Sequence, residues 1–204
     1  MTWLIIEFKL SKKSYLKRGF KAEAERISNN FRKELGLETH SPLCAFELAK
    51  HLEIEVISPK ILGLDDKGLN VLMGNSGKSS GWSALTMKNV DDKKLIIHNT
   101  RASDARQQSD IMHELAHIIC KHEIIVPNGH ILPDYMRYYD KSQEAEAEYL
   151  GSCLQLSREC LVWALTKGNM SKEEITSNYT ASKQMVNFRI NTTGINKQLQ
   201  YIRA

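Results

Sequence analysis

Two histidines and a glutamate stand close together in "DIMHELAHIICKHE", residues 110–123. An α-helix turns about 100° per residue, so His113 and His117, four apart, share a face and can offer two imidazoles to one ion. Glu114 sits about 100° round the helix, near enough to reach a water on that ion without replacing a histidine. This H-E-x-x-H spacing is that of zinc-dependent proteases. In such a site the metal acidifies a water and polarises a carbonyl. The glutamate takes the water's proton and passes it to the leaving amine. The competing reading is an ordinary amphipathic helix with histidines on its surface.

A third protein ligand separates the two readings. The metzincin continuation needs glycine and histidine where this chain has Cys120 and Glu123, so that class is excluded. His122 would lie about 140° round a continued helix from His117 and is predicted to point away. A carboxylate on a second helix is the other solution, and "EAEAEYLGSCLQL" supplies it. Glu144 and Glu148 share one face of that segment; Glu146 is on another. Ala147, Leu150 and Leu154 would pack it on the histidine helix. That makes Glu144 the natural third ligand, with Glu148, one turn on, accepting a hydrogen bond from a ligand histidine. Asp134 and Asp140, in the intervening loop, are rival ligands. Tyr135, Tyr138 and Tyr139 are candidate oxyanion donors, set against a plain packing role.

Several elements must hold these groups in place. Phe20, Ala24, Ile27, Phe31 and Leu35 recur at helical spacing, predicting a helix that ends near Gly36. "SPLCAFELAKHL" predicts a second, with Ser41 as cap and Pro42 at its first position. "EIEVIS" alternates as a half-buried strand does, and "WSALTM" and "KKLIIHN" read as strands joined by a "KNVDD" hairpin turn. "LGLDDKGLNVLMGNSGKSSG" is turn-rich, a loop around a short element. Its "GNSGKSS" falls short of a phosphate-binding loop, because the first glycine of that pattern is replaced by Leu72. From about Ser103 to His122 the chain reads as one helix with Ile111, Leu115, Ile118 and Ile119 buried. After the acidic helix come two or three short ones: "SRECLVWALTKG", "SKEEITSNY" and "SKQMVNFRI".

Composition adds bounds. The 204 residues carry a formal net charge of +4, with 25% charged and 42% hydrophobic residues. Such a chain can build a core, and its cations are dispersed rather than gathered into one nucleic-acid-binding block. "TWLIIEFKL" is too short for a signal-peptide core and no run reaches a membrane span, so neither secretion nor a membrane is expected. Cys44, Cys120, Cys153 and Cys160 lack C-x-x-C or disulfide-scaffold spacing, which points to a cytoplasmic protein with reduced thiols. Cys120 and Cys153 are expected in the core. The division expected is a metallopeptidase domain over 1–157, with 1–18 as a leader, and a helical tail over 158–204.

Taken in order, "RGFKAEAERISNNFRKELGL", "PLCAFELAKHLEIEV", "ARQQSDIMHELAHIICKH" and "EAEAEYLGSCLQLS" resemble the ImmA/IrrE family of bacterial and phage zinc metallopeptidases. The resemblance runs from about Arg18 into the C-terminal region. It implies that His113, His117 and Glu144 bind Zn2+ and that Glu114 is the base. It implies an α+β fold: a helical metallopeptidase domain, a small antiparallel three-stranded sheet and a helix-turn-helix-like tail. It also implies a protein substrate, a helix-turn-helix repressor of the XRE type, whose cleavage releases genes of a mobile element, prophage or stress response. Glu148 departs from the family's frequent Asn, and Ser157 from its frequent Pro. Two other functions compete: a non-proteolytic partner-binding module, as in a toxin–antitoxin pair, and a DNA-binding regulator. The latter would use the C-terminal helices, with Lys183, Arg189 and Lys197 on phosphates.

Overall fold

A computed structural model describes residues 15–74, 82–123 and 140–202. The leader to residue 14, the "GNSGKSS" loop after Gly74, Asp134 and the three loop tyrosines lie outside the described residues. Helix α1 (Phe20–Glu34) turns its apolar stripe into the main core as expected. It stops where Gly36 adopts a φ of 69° and the Leu37 amide returns to the Arg32 carbonyl, a turn glycine makes without strain. Helix α2 (Ala45–His51) starts three residues later than Ser41–Pro42 predicts. Cys44 occupies the cap position, and the Ala45 amide donates instead to Oε1 of Gln108, 2.7 Å away. A cap supplied from across the fold leaves no trace in the local sequence.

Strands β1 (Glu55–Ile57), β2 (Ala84–Lys88) and β3 (Lys94–His98) form one sheet in the order β1-β3-β2. The β2–β3 hairpin is antiparallel with Thr86 opposite Ile96. β1 runs parallel to β3, Val56 also opposite Ile96, so the sheet is mixed where an all-antiparallel one was expected. Between β1 and β2 the chain passes through a short 3-10 turn (Pro59–Leu62) and helix α3 (Asp66–Met73). The hairpin then returns β3 between its predecessors. Alternation of side chains identifies a strand but not the direction of its neighbour.

Helices α4 (Asp104–Ile119) and α5 (Lys141–Gln155) pack side by side. Ile111, Met112, Leu115 and Ala116 of the first and Ala147, Leu150, Cys153 and Leu154 of the second are fully buried in the main core. At about 1.5–3 kcal/mol for each large apolar side chain, this seam is the strongest constraint on how the two helices face each other. Cys120 is half-buried against the same core, and all four cysteines are free thiols.

A second core gathers Leu156, just after α5, with Leu161, Ile175, Val186 and Ile190 from helices α6 (Arg158–Thr166), α7 (Lys172–Asn178) and α8 (Lys183–Thr193). Ile195, the first residue of α9 (Ile195–Ile202), joins them. The helix–turn–helix reading of the tail holds: Ser182 caps α8, accepting from the Met185 amide. One part of that reading is overturned. Arg189 is fully buried, donates to the Leu156 carbonyl at 2.7 Å and pairs with Glu25 of α1. Its guanidinium lies 5.3 Å from the Tyr149 ring centre, so it is a structural cation and not a phosphate contact. Among the described residues, no helix is long and apolar enough to cross a membrane.

Candidate metal centre

The spacing argument for α4 holds at atomic detail. Nε2 of His113 and Nε2 of His117 lie 3.1 Å apart. Glu144, brought alongside by the α4–α5 seam, places one carboxylate oxygen 3.4 Å from the first nitrogen and the other 3.7 Å from the second. Tetrahedral zinc with ligand bonds of about 2.0–2.1 Å sets donor atoms roughly 3.3 Å apart. These three donors are spaced to fit such an ion, and two imidazoles with one carboxylate are borderline donors suited to it. His117 is buried, His113 about one-third exposed and Glu144 half exposed. The site therefore has one closed wall and one side open to solvent.

Two local features fix α5. Asp140 begins it, its carboxylate accepting from the amides of Ser142 and Gln143 while Gln143 reaches back to the Asp140 amide. The capping box commits Asp140 to the helix end, which removes it as a rival ligand. Glu144 then falls in the first turn, where the helix dipole favours a carboxylate. One turn beyond Ala147, Gly151 lets α5 approach α4 closely: a Cβ there would stand 3.1 Å from the Met112 carbonyl oxygen and 3.2 Å from the Cα and N of His113. Any side chain there would force the two backbones apart by a few tenths of an ångström.

Glu114 is held from the sheet. Oε2 of Glu114 accepts from the amide of Thr86 at 3.0 Å and from its hydroxyl at 2.5 Å. β2 is the edge strand beside α4. In its antiparallel ladder Leu85 and Met87 face the hydrogen bonds of β3, so Ala84, Thr86 and Lys88 turn their backbone groups outward. Thr86 was not identified from the sequence. A threonine in a strand is ordinary, and nothing local marks it as the partner of a glutamate 28 positions on.

His122 is a correction. It does not point away, because α4 ends at Ile119 and the helical wheel no longer applies. Lys121 takes a left-handed φ of 54°, the Lys121 amide returns to the Ile118 carbonyl, and the His122 amide to the His117 carbonyl. This Schellman turn folds His122 back under His117, with their Nδ1 atoms 2.9 Å apart. Glu146, set aside as facing elsewhere, meets Nε2 of His122 at 3.1 Å. Glu148, expected behind a ligand histidine, is exposed and lines the open cleft beside His113 instead. The support found behind His117 comes from His122, because the turn after α4 brings it there first.

The charges of the pocket divide the two candidate ligand histidines. Burial alone would lower His113, but the Glu144 hydrogen bond and the charges of Glu114, Glu144 and Asp110 outweigh it and leave His113 above its usual pKa. Burial, then the neighbouring positive His113, pushes His117 down to about 3 despite Glu144. Glu144 sits below the usual carboxylate range, chiefly through its hydrogen bond with His113. Perturbed groups converging in a cleft are what a chemical site looks like.

The sequence profile of a peptidase family, described as the IrrE N-terminal-like domain, matches residues 64–191. That span takes in Thr86, the two histidines, Glu114, Glu144 and α8. No curated protein matches the chain. Among solved structures, a Mycobacterium tuberculosis transcriptional regulator superposes with a TM-score of 0.47 at 10% identity, covering 87% of this chain and 48% of that one. The chain thus spans about half the regulator's length.

Proposed function

The chain belongs to the IrrE N-terminal-like family of peptidases, and from that premise we propose that it is a zinc-dependent endopeptidase that cuts a partner protein in the cytoplasm. The observation that carries the reading is the convergence of three donor atoms 3.1–3.7 Å apart beside a glutamate anchored to an edge strand. His113, His117 and Glu144 would hold the ion, which supplies Lewis acidity to the scissile carbonyl and to the attacking water. Glu114 accepts that water's proton and delivers it to the leaving amine. Thr86 steadies Glu114 by two hydrogen bonds to one oxygen, leaving the other to do the transfer. The outward backbone groups of β2 other than the Thr86 amide, which Glu114 occupies, would pair with an extended substrate segment, aligning one bond with the site. β3 is interior to the sheet, so of the two hairpin strands only β2 offers an edge.

The substrate proposed is a helix-turn-helix repressor of the XRE type, cut to relieve repression of a mobile element, prophage or stress response. The family resemblance supports this substrate class. Direct DNA binding by the tail is disfavoured by the burial of Arg189 and by the pairing of Lys183 with Glu173 at 3.4 Å.

Two measurements test the reading. Elemental mass spectrometry should find about one zinc per chain, lost or much weakened in Glu144→Ala. Incubation with the repressor should give one discrete cut with wild type and none with Glu114→Gln, whose zinc is retained. Equal release of repression by both proteins, with the repressor intact, would instead establish a binding module.

A further inference from the structure

Behind the candidate ligands runs a line of buried polar groups. Nδ1 of His117 faces Nδ1 of His122 at 2.9 Å, and Nε2 of His122 faces Oε2 of Glu146 at 3.1 Å. Both side chains of that second pair are 5% exposed. The other oxygen of Glu146 lies 3.3 Å from the ammonium of Lys17, which is 78% exposed. The line thus passes from the deepest ligand to the surface through α5.

With an ion on Nε2 of His117, the facing nitrogens allow one arrangement. Two imidazole nitrogens that face each other share a single proton, one donating and one accepting. A metal on Nε2 of His117 puts that ring's proton on Nδ1, so His122 must accept at its own Nδ1. His122 then carries its proton on Nε2, where Oε2 of Glu146 is placed to accept it. The reverse polarity would place the proton of His117 on Nε2, the atom that must bind the ion. Geometry thus places His122 and Glu146 to hold the His117 ring in the tautomer that leaves Nε2 to the ion.

We propose that His122 and Glu146 are positioning residues for the metal centre, holding His117 in its ligating tautomer and orientation and strengthening it as a donor. The proposal rests on the reading of His113, His117 and Glu144 as metal ligands. Partners behind a ligating histidine commonly govern affinity in this way. Here an imidazole is interposed between the ligand and the carboxylate.

Zinc affinity of the full chain, measured by competition with a chromogenic chelator, tests it without any substrate. His122→Ala should weaken zinc binding about 10–100-fold, and Glu146→Ala should weaken it as well. The double variant should be no weaker than His122→Ala alone, because both residues act through one line. Glu146→Gln keeps its shape and an acceptor for Nε2 of His122, so it should fold normally and lie between wild type and Glu146→Ala. The visible bands of the cobalt-substituted protein should shift in His122→Ala, which a merely structural role would not produce. Affinity within twofold of wild type in folded His122→Ala would overturn the proposal. So would losses that multiply in the double variant, or Glu146→Ala equal to wild type. A wild-type chain that binds no zinc would instead sink the metal reading itself, and this inference with it.

Discussion

At the scale of single residues, the candidate centre depends on side chains whose neighbours restrict them to one state. Glu114 is the clearest case. A carboxylate free to rotate would spend part of its time away from the attacking water, and Thr86 stops this with an amide and a hydroxyl on one oxygen. Thr86→Val keeps the amide and the strand preference and removes the hydroxyl. A hydrogen bond to a charged group contributes about 1.5–3 kcal/mol, so cleavage in single turnover should fall about 10- to 100-fold with zinc content unchanged. Equal loss of zinc would show that Thr86 supports the fold and not the base. The split between the two histidines has its own consequence. His117, pushed down to about 3, is neutral throughout the working range, whereas His113 is raised and keeps a proton to higher pH than a free imidazole. An incoming ion must displace that proton. Zinc affinity should therefore fall as pH drops through the raised pKa of His113, with a slope near one proton per ion. Two ordinary histidines would give a slope near two below about pH 6.5. Chelator competition between pH 5 and 8 measures which holds.

At the scale of elements, the site is the product of how closely two helices pack. The 3.6-residue periodicity made α4, α5, the buried stripe of α5 and the approach of Glu144 to the histidines legible, because those follow from local repetition. Ile118 and Ile119, expected in the buried stripe of α4, are only partly buried at its end. What was not legible lies where a helix ends or where distant chain meets it. His122 was misplaced because a non-glycine residue, Lys121, makes the left-handed turn after α4. The start of α2 was misplaced because its first amide bonds a glutamine 63 positions away. The direction of β1 is likewise set by the crossover before β2 and not by its own three residues. Gly151 marks the tightest point of the seam. Gly151→Ala forces a Cβ to within 3.1 Å of the Met112 carbonyl oxygen, and the atoms it meets are backbone. Overpacking of that kind costs about 1–3 kcal/mol, although alanine is the better helix former by about 1 kcal/mol. A net loss of thermal stability is expected, together with weaker zinc binding as α5 carries Glu144 outward. A variant more stable than wild type with full zinc affinity would mean that the two helices are free to separate without cost.

At the scale of the whole molecule, α5 joins the two cores: its first turn carries Glu144, and the residue after it, Leu156, belongs to the tail's apolar cluster. The division expected after residue 157 follows this change of core, yet the family profile runs across it to residue 191. The pair of buried Arg189 on α8 and part-buried Glu25 on α1 shows why a cut there would be costly. Glu25 also accepts the Arg158 amide at the start of α6, at 2.8 Å, so one carboxylate ties α1 to two tail helices. Arg189→Met keeps the length and the apolar stem but leaves that carboxylate without its cation. Removing one member of a buried pair costs about 3–5 kcal/mol, and the partial exposure of Glu25 with its remaining bond to Arg158 places this case toward the lower end. The effect should fall unevenly. In wild type, amide hydrogens of α7 and α8 should exchange with nearly the same opening free energy as those of α4. In Arg189→Met, α7 and α8 should open first, with α4 and zinc binding changed much less. Hydrogen exchange read by mass spectrometry distinguishes the outcomes. A uniform loss across α4 and α8 would show one indivisible cooperative unit. Early opening confined to the tail would show that the Arg189–Glu25 pair is the fastening that makes two cores behave as one.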